Sequence, residues 1–164
     1  MSSLLSLNKT YSVVGAIHAS YPDTGGIEAT DGLVGNGSGY GGANAFLATD
    51  ATIAITINLL QTYVLDYARF HYEVWGAGSA DACNSVLIEG SNNGSSFTTI
   101  ATYTKAGGYW VDTDGAHWSN SLTLGNVQYG YVRFTFTRAS SYHAYSEIEI
   151  YGSPINTINH FWWG

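Results

Sequence analysis

The residues of this chain that could do chemistry are mostly rings. Its 164 residues include 13 Tyr, 5 Trp and 6 Phe, while Asp, Glu, Lys and Arg together make up only 10%. Tyr and Trp are rigid and amphipathic, which suits them to contact surfaces. Seven ring-bearing side chains fall in stretches that read as loops: Tyr40, then Tyr109, Trp110, His117 and Trp118, then Tyr142 and His143. Such a set offers recognition of a sugar. The apolar C–H face of a pyranose stacks on Trp or Tyr, and its hydroxyls bond to imidazole, amide, carboxylate or guanidinium. A second use for Trp110 or Trp118 is to plug the end of a core.

Signals for catalysis are poorer. Asp112 and Asp114, in Val-Asp-Thr-Asp-Gly, could serve as an acid–base pair or hold an ion, but a tight Asx turn accounts for them more simply. Gly37-Ser38-Gly39-Tyr40-Gly41-Gly42 matches the dinucleotide glycine pattern without the strand-to-helix unit that pattern needs. Neither Gly-x-Ser-x-Gly nor His-Glu-x-x-His occurs. Cys83 is the single cysteine, so no intrachain disulfide can form, and it has no evident activating partner. His18, His71 and His160 stand alone and read as structural. The expectation is a binding protein and not an enzyme.

Charge narrows the partner. The net charge is −7, and 5 Lys and Arg are too few and too scattered to neutralise a phosphate backbone or an anionic membrane. A neutral ligand is expected, with neither nucleic acid nor membrane. No apolar run approaches the length of a membrane span, and Met1–Leu7 lacks the basic and apolar regions of a signal peptide.

The elements that must position these side chains are strands. Ala51–Asn58 alternates Ile53, Ile55 and Ile57 against Thr52, Ala54 and Thr56, and Tyr67–Trp75 alternates Phe70, Tyr72 and Val74 against Arg69, His71 and Glu73. Val86–Ser91 and Phe97–Tyr103 flank the turn Asn92-Asn93-Gly94. Tyr131–Thr137 and Tyr145–Tyr151 repeat the alternation. Each sheet thus has one buried and one wet face, which predicts an all-β antiparallel sandwich. Gly15–Asp50, Lys105–Asn120 and Ser140–Ala144 read as the loops, and loops that long in a compact domain usually carry function.

The order of these pieces resembles the discoidin domain, or coagulation-factor type C domain, and the related galactose-binding-like carbohydrate modules. The resemblance rests on a strand after Leu7-Asn8-Lys9, Ala29-Thr30-Asp31-Gly32, Ile57-Asn58-Leu59, Ile88-Glu89-Gly90-Ser91-Asn92-Asn93-Gly94, Tyr131-Val132-Arg133-Phe134 and Ser146-Glu147-Ile148-Glu149-Ile150-Tyr151-Gly152. It departs in the Gly-rich stretch after Asp31-Gly32, where that family commonly has Trp, and at Asn58, where it commonly has Asp. The resemblance implies a jelly-roll-like sandwich over 1–152 whose loops at one end bind ligands, often sugars. It also implies a structural calcium ion held by Asp31, Ser38 and Glu147, with carbonyls near Ala29 and Asn36 completing the shell. Residues 153–164 form an aromatic tail in which Phe161, Trp162 and Trp163 are expected to dock on a neighbouring subunit. A small acidic sandwich with such a tail and no export signal suits the surface of a virion, a phage tail or capsid. The other settings expected are a carbohydrate-binding module of a secreted glycoside hydrolase and a purely structural virion protein.

Overall fold

A computed structural model of the protein describes residues 1–36, 44–76, 82–139 and 141–155. Nine strands are described: β1 (Ser3–Leu4), β2 (Tyr11–Val14), β3 (Phe46–Ala48), β4 (Thr52–Val74), β5 (Ser85–Ser91), β6 (Thr98–Thr104), β7 (Gly115–Trp118), β8 (Leu122–Thr137) and β9 (His143–Pro154). All pair antiparallel. Among the described residues, no helix is long and apolar enough to cross a membrane.

β4 and β8, paired along both of their halves, serve both layers of the sandwich. The first part of β4, Thr52–Asn58, lies between β2 and the end of β8, and β5 and β6 continue that layer. From Tyr63 onward β4 lies against β9, which also carries β1 and β3, and its last residues take β7 on the other side. Between the halves the register shifts, and Leu60 takes a left-handed φ of 72°. The segments Ala51–Asn58 and Tyr67–Trp75 are therefore one bent strand. The stretch between them shows no alternation because the chain is turning from one layer to the other.

The alternation places the apolar core correctly. Ile53, Ile55, Ile57, Phe70, Val132, Phe134, Phe136, Ile148 and Ile150 are fully buried, and Tyr72 and Val74 nearly so. The face expected to be wet is not wet beyond the bend. His71 and Glu73 are each only 3% exposed, because the segment carrying Gly32 and Gly35 and the Trp118 ring cover that side of β4 and β9. Phe70 is the hub, touching Tyr72, Trp110, Phe136 and Tyr145 at ring-centroid distances of 5.1–6.0 Å. Two of the long loops are shorter than expected, because β3 lies inside Gly15–Asp50 and β7 inside Lys105–Asn120. β3 reads Phe-Leu-Ala and is buried on both faces, so it offers no alternation to detect.

Candidate functional site

Antiparallel pairing brings the start of β4, the end of β8, the start of β5 and the end of β6 to one end of the sandwich. The end of β4 in the other layer, with the starts of β7 and β9, reaches the same end. The segment after β2 runs back along β3 there. The His18 amide donates to the Leu47 carbonyl at 2.8 Å, and the Leu47 amide donates to the Tyr21 carbonyl at 3.1 Å. Asp50 fixes this segment by accepting from the Ala16 amide at 2.8 Å. The Arg138 guanidinium donates to the carbonyls of Thr49 and Ser141, tying the β3–β4 corner to the β8–β9 loop.

These ties frame a depression of about 300 Å³ lined by His18, Ser20, Tyr21, Leu47 and Tyr142. The His18 ring lies 5.2 Å from Tyr21 and 6.0 Å from Tyr142, the latter nearly perpendicular. The Ser20 amide donates to His18 Nδ1 at 3.2 Å, which in the neutral ring places the proton on Nε2. Leu47 and Ala144 form a small buried apolar cluster beneath Tyr21 and Tyr142. Among the described residues the lining carries no carboxylate, ammonium or guanidinium. The arrangement can stack a flat apolar face against tyrosine and offer hydroxyl and imidazole groups to its rim.

The seven ring-bearing candidates separate. Tyr142 is in the depression. His143 is fully buried behind it: Nε2 donates to the Asp50 carbonyl at 3.2 Å, and Nδ1 accepts from the Tyr145 hydroxyl at 2.9 Å. Burial pulls its pKa down to about 4, so it is a neutral buttress instead of a ligand contact. Trp110 is 4% exposed, its indole N–H donating to the Cys83 carbonyl at 2.6 Å, and it closes the end of the core as a plug. Tyr109 packs on Tyr103 at 4.6 Å beside that plug. His117 Nε2 donates to the Thr113 carbonyl at 2.8 Å and holds its own loop. Trp118 stands opposite His71, away from the depression, with the Arg69 guanidinium 4.2 Å over its ring. Tyr40 lies outside the described residues, as do Ser38, Phe161, Trp162 and Trp163.

His18 and Tyr21 were missed. His18 reads as a lone histidine, and only the pairing of its backbone with β3 reveals its neighbours. Asp112 is engaged structurally, ion-paired with Lys105 and accepting from the Ala82 amide at 3.1 Å.

The expected ion site can be judged from its carboxylates. Glu147 is 1% exposed; Oε2 accepts from the Gly32 amide at 2.9 Å, and Oε1 is buried without a partner among the described residues. Desolvation, with Asp31 and Glu149 nearby, raises its pKa to about 8. Asp31 Oδ1 accepts from the Leu33 amide at 2.8 Å. The Ala29 carbonyl accepts from the Ile148 amide at 2.9 Å. No group of three or more His, Cys, Asp or Glu among the described residues could hold a metal. Two carboxylates with backbone oxygens would suit calcium by donor type.

No protein-family model matches the chain, and no curated protein matches it. Solved structures do. Chitosan-binding module 1 derived from a chitosanase/glucanase of Paenibacillus sp. IK-5 superposes with a TM-score of 0.64 at 22% identity, over 92% of this chain and 99% of the module. The chain shares the β-sandwich fold of that module. The family 32 module of Clostridium perfringens NanJ, in complex with galactose, gives a TM-score of 0.64 at 15% identity over 92% and 99% of the two chains. CpGH89CBM32-5 of the same organism, in complex with GalNAc-β-1,3-galactose, gives 0.62 at 16% identity over 90% and 99%.

Proposed function

We propose that the protein is a non-catalytic glycan-binding module whose loop-end depression takes a neutral sugar. The observation that carries this reading is the grouping of His18, Tyr21 and Tyr142 around an uncharged depression of about 300 Å³. The shared fold supports it, because modules of that fold are found with galactose and GalNAc-β-1,3-galactose bound. Affinity electrophoresis in gels containing a galactan or a chitosan tests it. Migration is retarded for the wild type, and Tyr142→Ala loses at least about tenfold in affinity, about 1.4 kcal/mol, with its melting temperature unchanged. Equal retardation of wild type and Tyr142→Ala contradicts the reading.

Asp31 and Glu147 would hold a calcium ion, with Ser38 and the carbonyls near Ala29 and Asn36. The ion would neutralise the buried carboxylates and give the orphaned Glu147 Oε1 a partner.

For the setting, we propose a surface or decoration component of a larger assembly such as a phage tail or capsid, docked through Phe161, Trp162 and Trp163. The similarity to a module derived from a chitosanase/glucanase favours a second reading, an accessory module of a secreted glycoside hydrolase. A virion protein with no sugar binding is the third. Removing Phe161–Gly164 discriminates: the first reading expects loss of particle incorporation, and the second expects unchanged binding to polysaccharide.

A further inference from the structure

A second depression, of about 250 Å³, lies away from the loop end on the outer face of the β2–β4–β8–β5 layer. Two adjacent cross-strand rows build it. Ser12, Thr56, Arg133 and Glu89 form one row across β2, β4, β8 and β5, and Asn58, Tyr131 and Ser91 form the next. Charge is withdrawn from this face in a specific way. Arg133 Nε donates to Glu89 Oε2 at 2.8 Å, and its guanidinium lies 3.9 Å over the Phe97 ring, so it is held toward β5. What lines the depression among the described residues is Ser12, Thr56, Asn58, Gly94 and Tyr131, with Thr10 and Tyr11, and none of these is charged.

The turn beside the ring and the amide are set before any ligand arrives. Gly94 takes a φ of +71°, a conformation that favours glycine, and a Cβ there would stand 3.1 Å from the Tyr131 ring, so the turn and the ring lie close together. That turn is locked by the Asn93 side-chain oxygen, which accepts from the Ser95 and Ser96 amides at 3.0 and 2.9 Å. Asn92 Oδ1 accepts from the Gly130 amide at 2.9 Å, next to Tyr131. Asn58 Oδ1 accepts from the Leu60 amide at 2.8 Å, which sets the amide group's orientation. An aromatic ring beside a locked turn, among hydroxyls and an amide and with no charged side chain in the lining, matches a neutral hexose and not a phosphate, a cation or a peptide terminus.

We propose that this sheet face is a second glycan site, with Tyr131 as the stacking ring and Ser12, Thr56 and Asn58 as hydroxyl partners. It stands on residues separate from the loop-end depression. The module is therefore bivalent and binds a repeating polysaccharide more tightly than the matching oligosaccharide, through effective concentration alone.

Isothermal titration with chitotriose and with a galactose-containing disaccharide, paired with precipitation of chitosan or galactan, tests this. The expected result is two sites per chain for at least one oligosaccharide, with one lost in Tyr131→Ala and the other in Tyr142→Ala. Either substitution also abolishes precipitation. Should Tyr131→Ala unfold, Ser12→Trp fills the depression from an exposed strand position and has the same expected effect. A single site untouched by Tyr131→Ala and Ser12→Trp overturns this proposal and leaves the loop-end reading intact. A single site removed by Tyr131→Ala and untouched by Tyr142→Ala overturns the loop-end reading instead. Absence of binding to every probe overturns both.

Discussion

At Trp110 the indole N–H bonds to the Cys83 carbonyl while the ring meets Phe70 at 5.2 Å, so truncation removes a hydrogen bond and opens a cavity together. Trp110→Ala should cost about 3–5 kcal/mol in urea denaturation, the range for large aromatic truncations in cores. A loss under about 1 kcal/mol would mean the ring is a surface group after all. Glu147 poses the opposite problem, a buried carboxylate with one oxygen unpartnered among the described residues. If calcium occupies the site, adding it should raise the melting temperature of the wild type and chelator should reverse the rise. Glu147→Gln should be more stable than the metal-free wild type and indifferent to calcium. Calorimetry with no calcium binding, and melting unaffected by chelator, removes the ion. The difference between Trp110 and Tyr142 is not legible in sequence, since both are rings in polar, Gly- or Ser-rich segments. What separates them is burial: Trp110 is 4% exposed with its N–H bonded inside the core, whereas Tyr142 stays half-buried at the rim of the depression.

Strand alternation marks the apolar inward face, which is why the core residues of β4, β8 and β9 could be read directly. At the end of β4 and the start of β9 the other face is buried too, with His71, Glu73 and Glu147 on it. Alternation fails at three kinds of element. β3 is buried on both faces, β7 is only four residues long, and the bend in β4 hides a continuous strand behind a broken period. Leu60, 70% exposed with φ of 72°, carries that bend at a residue type that rarely adopts it. Close strand contact is similarly invisible in sequence. A Cβ at Gly152 would lie 2.2 Å from the Val64 carbonyl oxygen and 2.9 Å from a Leu5 methyl, so β9 meets β4 and the segment after β1 only through a bare backbone. Gly152→Ala must push backbone aside, and should cost about 1–3 kcal/mol or more in the same denaturation assay. Unchanged stability would mean that β9 has slack against β4.

Over the whole molecule, low charge leaves stability and binding to burial. Two buried imidazoles then set the acid limit. His71 and His143 both have their pKa pulled down to about 4 from an ordinary 6.5, chiefly by desolvation. The unfolded chain therefore takes up protons first, and their contribution is complete above pH 6.5 and lost as pH falls through about 4. Glu147 acts with the other sign in the metal-free protein. Its pKa is raised from 4.5 to about 8, so its contribution is complete below pH 4.5 and lost as pH rises through about 8. Melting followed across this range should fall at both ends without calcium, and the alkaline fall should disappear with calcium if the site holds it. Binding, by contrast, should hardly respond to salt, because no carboxylate, ammonium or guanidinium lines either depression among the described residues. The fold and its core were readable from the sequence, whereas the site was only half readable, because Tyr142 meets His18 and Tyr21 by long-range pairing rather than by proximity along the chain. The most direct test of that meeting is a map of backbone amide shifts during titration with a galactose-containing disaccharide or chitotriose. The largest changes are predicted at residues 16–21, at Leu47 and at 141–143. Saturable changes at Tyr109, His117 and Trp118 with the His18–Tyr142 amides unmoved would contradict the account.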